Sequence, residues 1–398
     1  MGERLAIEGG KPVRETFLIF GSPQISEVEI REVVDTLRSG WIGTGPKTHR
    51  FERMFAEYVR SRHAVAVNSC TAGLELALDV LGIGPGDEVI TTPLTFSATA
   101  NVIARRGARP VFADIELPSM NIDPDEIERR ITLRTRAIIP VHFAGRPCRM
   151  EEILDIARRH DLYVIEDAAH AIEAWYRDKK VGSIGDITAF SFYVTKNVVT
   201  GEGGMVTTDR EDWAEEIRIK SLHGISKDAW KRYTESGFQP YDTLYPGYKF
   251  NMTDIQASLG IHQLARVEEN LKIRERHWMR YNQAFADIPE ITVPEEEEGI
   301  RHARHLYTVL LDVDALKVDR NRFAEILKAE NIGSGIHFIA LHLHSFYRKR
   351  FGYKRGDFPK AEYVSDRTLS LPLSPKLSDE DVEDVIRAVR KITENVRR

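Results

Sequence analysis

Apolar residues change their spacing along the chain, and each change marks an element. From Thr71 to Leu81, Leu74, Ala77, Leu78 and Leu81 recur on one face, which predicts an amphipathic helix. The following segment, Gly82 to Asp87, holds three glycines and a proline and stops it. Short β-branched or apolar runs at 88–92, 110–114, 136–143, 162–166, 187–193 and 205–208 predict strands. The run from Arg136 to Phe143 is nearly continuous, as a strand buried on both faces requires. Helical spacing fills the gaps at 95–105 and 150–159. Asp123 reads as an N-cap, with Pro124 at the first helical position and Glu126 three residues after the cap. Alternation of this kind predicts an α/β layer structure with a mostly parallel sheet.

The pattern changes after about residue 210. Residues 226–247 mix Tyr, Pro, Gly and charge without a sustained period, and so long an irregular segment is expected to be functional or mobile. A long helical pattern is predicted from about Thr253 to Phe285. The acidic run Glu295 to Glu298 reads as a solvated linker. The remainder predicts a smaller α+β unit. In its last helix Ser378 is the cap, Asp381 sits three later, and Val382, Val385, Ile386 and Val389 form one stripe. The expected division is a large domain over 1–260, with an N-terminal arm and the 226–247 loop, and a small C-terminal domain over 261–398.

Composition narrows the class. The chain has 398 residues, 42% hydrophobic and 29% charged, which is ordinary globular usage and excludes a disordered or collagen-like chain. A net charge of −5 argues against nucleic acid as the main partner. No run approaches 18 apolar residues, so no membrane span is expected. The opening MGERLAIEGGKPVRE has no apolar leader core, and Ala6 stands where a myristoylation signal has Ser or Thr. Two cysteines, Cys70 and Cys148, make no disulfide framework. A cytoplasmic protein is expected.

Several motifs dissolve on inspection. In GWIGTGPKT (40–48), Pro46 separates Gly45 from Lys47 and breaks a phosphate-binding P-loop. The glycines of 82–86 follow a helix and precede a strand, the reverse of a dinucleotide fingerprint. His337, His342 and His344 match no zinc spacing, so no metal is expected. No G-x-S-x-G elbow is present.

Three clusters at predicted strand ends or helix starts remain. Asn68 to Gly73 places small and hydroxyl residues where a helix N-terminus favours an anion such as phosphate. Asp167 follows a buried strand, where a carboxylate needs a cationic partner. Lys196 follows another, in a glycine-rich setting where desolvation makes an amine nucleophilic. A phosphate cup, a carboxylate for a ring nitrogen and a reactive lysine together describe a pyridoxal 5'-phosphate (PLP) pocket.

The motifs carrying these residues run nearly end to end: SGWIGTGPKTHRFE (39–52), NSCTAGLELAL (68–78), GDEVITTPLTFSATAN (86–101), AIIPVHFAG (137–145), VIEDAAHA (164–171), FSFYVTKNVVTGEGGM (190–205), PGYKFNMTDIQASLG (246–260) and SLPLSP (370–375). In these the chain resembles the DegT/DnrJ/EryC1/StrS family of sugar aminotransferases, and by GYKFN the branch acting on nucleotide-linked 4-keto sugars, of the 4-amino-4-deoxy-L-arabinose type. The resemblance implies the fold-type I architecture, with Lys196 holding PLP, Asp167 on the pyridine nitrogen and His170 near the ring hydroxyl. It implies Phe96 stacked on the ring and Thr71, Ala72 and Ser191 at the phosphate. Asn251 would reach the cofactor of the other subunit, so a homodimer is implied. The implied substrates are L-glutamate and a nucleoside-diphosphate keto sugar, turned over by ping-pong kinetics. Tyr193 stands where His is frequent, which bears on substrate contacts, and Cys70 where Gly or Ala is usual. Candidate substrate-side residues are His337, His342, Arg348, Tyr307, Trp41, Thr44 and Lys47, and 226–247 would close over the nucleotide. Alternatives on the same fold are a PLP-dependent deoxysugar dehydratase and a non-catalytic regulatory member. Lys196 and the shortage of cysteines for an iron–sulfur cluster argue against the first, and the intact Lys196, Asp167 and Ser191 against the second.

Overall fold

The protein is described by a computed structural model over residues 3–226 and 242–398, so most of the 226–247 segment lies outside the described residues. Thirteen strands are described. They are β1 (His63–Val67), β2 (Glu88–Thr91), β3 (Arg109–Phe112), β4 (Thr135–Ile139), β5 (Tyr163–Asp167), β6 (Trp175–Tyr176), β7 (Lys179–Lys180), β8 (Ile187–Ser191), β9 (Gly204–Thr208), β10 (Ile291–Thr292), β11 (Ile300–Arg301), β12 (Tyr307–Leu311) and β13 (Thr368–Leu371). The central sheet runs β1-β9-β8-β5-β4-β2-β3, and two three-stranded sheets are ordered β10-β12-β13 and β11-β6-β7.

In the central sheet β8, β5, β4, β2 and β3 pair in parallel, and only β9 runs against its neighbours. Helices link β1 to β2, β2 to β3, β3 to β4 and β4 to β5, while β5 reaches β8 through the short β6–β7 hairpin. All the parallel strands therefore deliver their carboxyl ends to one edge of the sheet, where ligands bind in such folds. Beneath β8 lies an aromatic cluster. Phe55 meets Phe190 at 5.0 Å between ring centroids, and Phe51 meets Phe192 at 5.2 Å. All four rings are buried, and they hold the strand that ends in Ser191. A second apolar core joins β12, β13 and the C-terminal helix through Trp278, Tyr281, Tyr307 and Val385.

Most predicted elements are found within a residue or two, including the helices Cys70–Val80 and Met150–His160. The capping box Ser378/Asp381 forms at the C-terminal helix Asp379–Val396. Four expectations change. The 136–143 run ends as a strand at Ile139 and turns through Ala144, whose φ is +56°. Asp123 caps its helix through the Asp125 N–H, while Glu126 turns to Arg129 and Arg130. The 253–285 pattern is two helices, Asp254–Ala265 and Val267–Phe285. They divide at Arg266, whose φ of −111° is not helical and whose guanidinium pairs with buried Glu29. In the acidic run, Glu296 pairs with Arg304 and Glu297 with Arg146, so solvation is only part of its role. No described helix is long and apolar enough to cross a membrane.

Replacing Phe55 by Ala empties the centre of the aromatic cluster. The expected loss is about 3–5 kcal/mol, read as a lowered denaturant midpoint with an unchanged slope.

Candidate active site

A cavity of about 500 Å³ opens at the carboxyl edge of the central sheet. Ser69, Cys70 and Thr71 line it from the first turn of Cys70–Val80, Asp167 from the end of β5, and Ser191, Tyr193 and Lys196 from the end of β8. His305, His337 and Phe338 come from the β12–β13 part of the chain, and Phe20 and Gly21 from the N-terminal arm. Local structure accounts for the first turn. Ser69 is the N-cap, and its Oγ accepts the Ala72 N–H at 3.1 Å. The N–H groups of Cys70 and Thr71 have no partner inside the helix and are left for a ligand. Gly204 permits the close approach of β9, because a Cβ there would sit 2.6 Å from the Cys70 nitrogen.

Asp167 is buried and braced from several sides. Thr99 Oγ1 donates to Oδ2 at 2.7 Å, and the Ala169 N–H donates to Oδ1 at 3.2 Å. Thr99 is in turn 2.9 Å from Thr95 Oγ1. Burial pushes the Asp167 carboxyl above its ordinary range, against these hydrogen bonds and the charge of Lys196. Burial also lowers Lys196 from 10.5 to about 8, partly opposed by Cys70 and Asp167. The two groups feel each other's charge without forming an ion pair.

Three imidazoles complete the wall. His170 and His305 lie 4.4 Å apart between ring centroids, and His337 Nδ1 is 2.8 Å from Ser370 Oγ. Burial and the Lys196 charge hold His170 and His305 well below 6.5, and His337 down at about 4, so all three are neutral at pH 7. His170 Nδ1 is buried without a hydrogen-bond partner. That orphaned nitrogen, a desolvated carboxylate wanting a cation, a reactive amine and a helix N-terminus wanting an anion match a phosphorylated pyridine aldehyde group by group.

The sequence comparison decides the family. Residues 23–390 match the model of the DegT/DnrJ/EryC1/StrS aminotransferase family. The chain belongs to this family. It is 57% identical over 380 residues to an uncharacterised protein of Methanocaldococcus jannaschii, covering 96% of this chain and 98% of that one. It is 54% identical over 380 residues to the spore coat polysaccharide biosynthesis protein SpsC of Bacillus subtilis, covering 95% and 98%. Among solved structures it superposes on the putative sugar aminotransferase Spr1654 from Streptococcus pneumoniae, PMP form. The TM-score is 0.89 at 38% identity, covering 95% of this chain and 98% of that one, and the same protein was also solved in a PLP form. The chain is a fold-type I, PLP-dependent sugar aminotransferase, and PLP is its cofactor.

Of the site residues singled out in the sequence, Thr71, Phe96, Asp167, His170, Ser191 and Lys196 share the cavity. Phe96 is 64% exposed, with its ring 6.5 Å from that of Phe338. Ala72 lies just behind the wall, buried, with its N–H already given to Ser69. Asn251 is not in the cavity of its own chain. It bridges to Val67 and donates to Thr44 Oγ1 at 2.7 Å.

Most substrate-side candidates are elsewhere. Tyr307 is in the apolar core with its hydroxyl on Asn282, and His342 is buried against Glu362. Arg348 is exposed on the outer helix Ser345–Phe351. Lys47 is bound to Glu32 and Asp35, and Trp41 Nε1 donates to the Thr44 carbonyl. Only His337 of that set faces the cavity. His305, Phe20 and Phe338 were missed, because each comes from a distant segment that only folding brings near Lys196. Among the described residues no cluster of three or more His, Cys, Asp or Glu could hold a metal ion.

The buried amine has a thermodynamic signature. Its proton affinity is lowered in the folded chain, so between about pH 8 and 10.5 the unfolded chain binds more protons and stability rises with pH. In the cofactor-free protein Lys196→Met should remove this rise, seen as a flatter wild-type-minus-variant stability difference above pH 10.5 than below it.

Proposed function

We propose that the enzyme moves the amino group of L-glutamate to a nucleoside-diphosphate 4-keto sugar. The observation that carries this is that a buried Lys196, a buried Asp167 and the first turn of a helix line one cavity, a set that suits an amine-bound, phosphorylated pyridine. When bound, PLP supplies an electron sink for the carbon that loses its proton. Lys196 would carry the cofactor on Nζ, and its depressed proton affinity suits it to take the α-proton of the donor and later return one. Asp167 would hold the ring nitrogen protonated, each pKa unit of that stabilisation being worth about 1.4 kcal/mol. His170 Nδ1 would bond the ring hydroxyl. The phosphate would lie on the N–H groups of Cys70 and Thr71 and on the Ser191 hydroxyl, with Ala72 behind them holding the Ser69 cap, and Phe96 would cover one ring face.

The active unit in this reading is a homodimer. Ile25, Val28, Ile30, Val34, Leu37, Trp41 and Ile42 are exposed along and beside the helix Glu27–Ser39, a large apolar surface for a lone chain. Asn251 and Thr44 lie beside that surface in sequence and bonding, where Asn251 would reach the neighbour's cofactor phosphate. Among the described residues Lys196 is the one lysine or arginine lining the cavity, which leaves a diphosphate and a dicarboxylate short of cations. Both cysteines are buried free thiols, which supports a reducing, cytoplasmic location.

The purified protein should be yellow, bleach with L-glutamate and regain colour with a nucleotide-linked 4-keto sugar from a panel. Lys196→Ala should lose both changes. A protein that bleaches with glutamate but regains colour only with other keto compounds sinks the sugar-nucleotide assignment. Leu37→Glu should convert the dimer to monomer in sedimentation and lower turnover at least tenfold.

A further inference from the structure

A buried ion pair that plays no part in the chemistry above stands directly behind the reactive lysine. Glu173 and Arg274 are both within 1% of full burial and form an ion pair. Between them and the cavity lies Asn197, the residue after Lys196. Its Nδ2 donates to Glu173 Oε2 at 2.8 Å and to the Ala303 carbonyl at 3.0 Å. A carbonyl only accepts, so the nitrogen end of the amide is fixed there and Oδ1 faces the other way. Oδ1 lies 2.9 Å from His305 Nδ1. An amide oxygen only accepts, so His305 must carry its proton on Nδ1. Burial and Lys196 keep the ring neutral. Its other nitrogen, Nε2, therefore carries a bare lone pair, on a ring that lines the cavity.

We propose that His305 Nε2 is the specificity-determining acceptor for a hydroxyl of the sugar substrate, held in that state by the relay Arg274–Glu173–Asn197. This rests on the sugar-acceptor reading above. The two substrates differ in what they offer such a nitrogen. The side chain and α-carboxylate of glutamate present only acceptor oxygens, which gain nothing from a lone pair. A sugar presents hydroxyl donors. One fixed, acceptor-only nitrogen thus separates the two ligands that must take turns in one cavity.

The test uses the holoenzyme and reads the half-reactions separately by absorbance. His305→Phe should leave bleaching by L-glutamate within about threefold of wild type. It should lower the second-order rate of colour return with the keto sugar by roughly 10- to 100-fold. His305→Gln, whose carboxamide oxygen can reach the Nε2 position, should recover part of that loss, and it carries the test if the Phe variant does not fold. The ¹⁵N spectrum of the wild-type imidazoles should show His305 protonated at Nδ1 and free at Nε2. Equal slowing of both half-reactions, colour return at the wild-type rate, or a proton on Nε2 would each overturn the assignment. A wild type that regains colour with no keto sugar overturns the acceptor reading itself and this assignment with it.

Discussion

A carboxylate and an amine, both stripped of water at the ends of neighbouring parallel strands, set the terms for the rest of this molecule. Neither Asp167 nor Lys196 is neutralised by the other, and burial works against the charge of each. Such groups persist only where the surroundings hold them. The central sheet does this by parallel order, since β5 and β8 are adjacent and point the same way. Thr99 and the Ala169 N–H fix the carboxylate, and the aromatic cluster under Phe190 and Phe192 fixes the strand that leads to the amine. One layer below, Glu166 accepts from Thr188 and Gly185 and meets His142, so the floor of the site is itself fully bonded.

The wall facing these groups is built from chain far away in sequence. His305 arrives at the start of β12, and His337 and Phe338 from the turn before Leu341. Phe20 of the N-terminal arm stacks on His337 at 5.6 Å. The wall is aromatic and uncharged at neutral pH, which keeps the local dielectric low and the effect of Lys196 strong. The Glu173–Arg274 pair crosses from the β5 side to the helix Val267–Phe285 and fastens the two apolar cores behind the lysine. A buried pair is rarely a large net gain in stability, and its geometric role here is to orient Asn197.

The elements that depend on short-range pattern were readable before any coordinates. The helix after Ser69, the turn at 82–87 and the capping box at Ser378 follow from spacing and capping chemistry alone. So did the clustering of Asp167 and Lys196 at strand ends. What misled was local pattern without tertiary context. The 253–285 periodicity gave no sign of the break at Arg266, because that break is held by Glu29, more than 200 positions away. Tyr307 looked like a substrate contact, yet its strand buries it between Trp278 and Tyr281.

By itself the sequence determined the α/β alternation, the cofactor chemistry and the residues at the ends of β5 and β8, since each is assembled from short runs and clusters that are legible one at a time. Only the tertiary structure decided which imidazoles face the amine, which candidates turn away, and which nitrogen of His305 is bare. Those outcomes depend on hydrogen bonds between separate elements, such as His342 to Glu362 and Asn197 to His305, and no spacing along the chain encodes them.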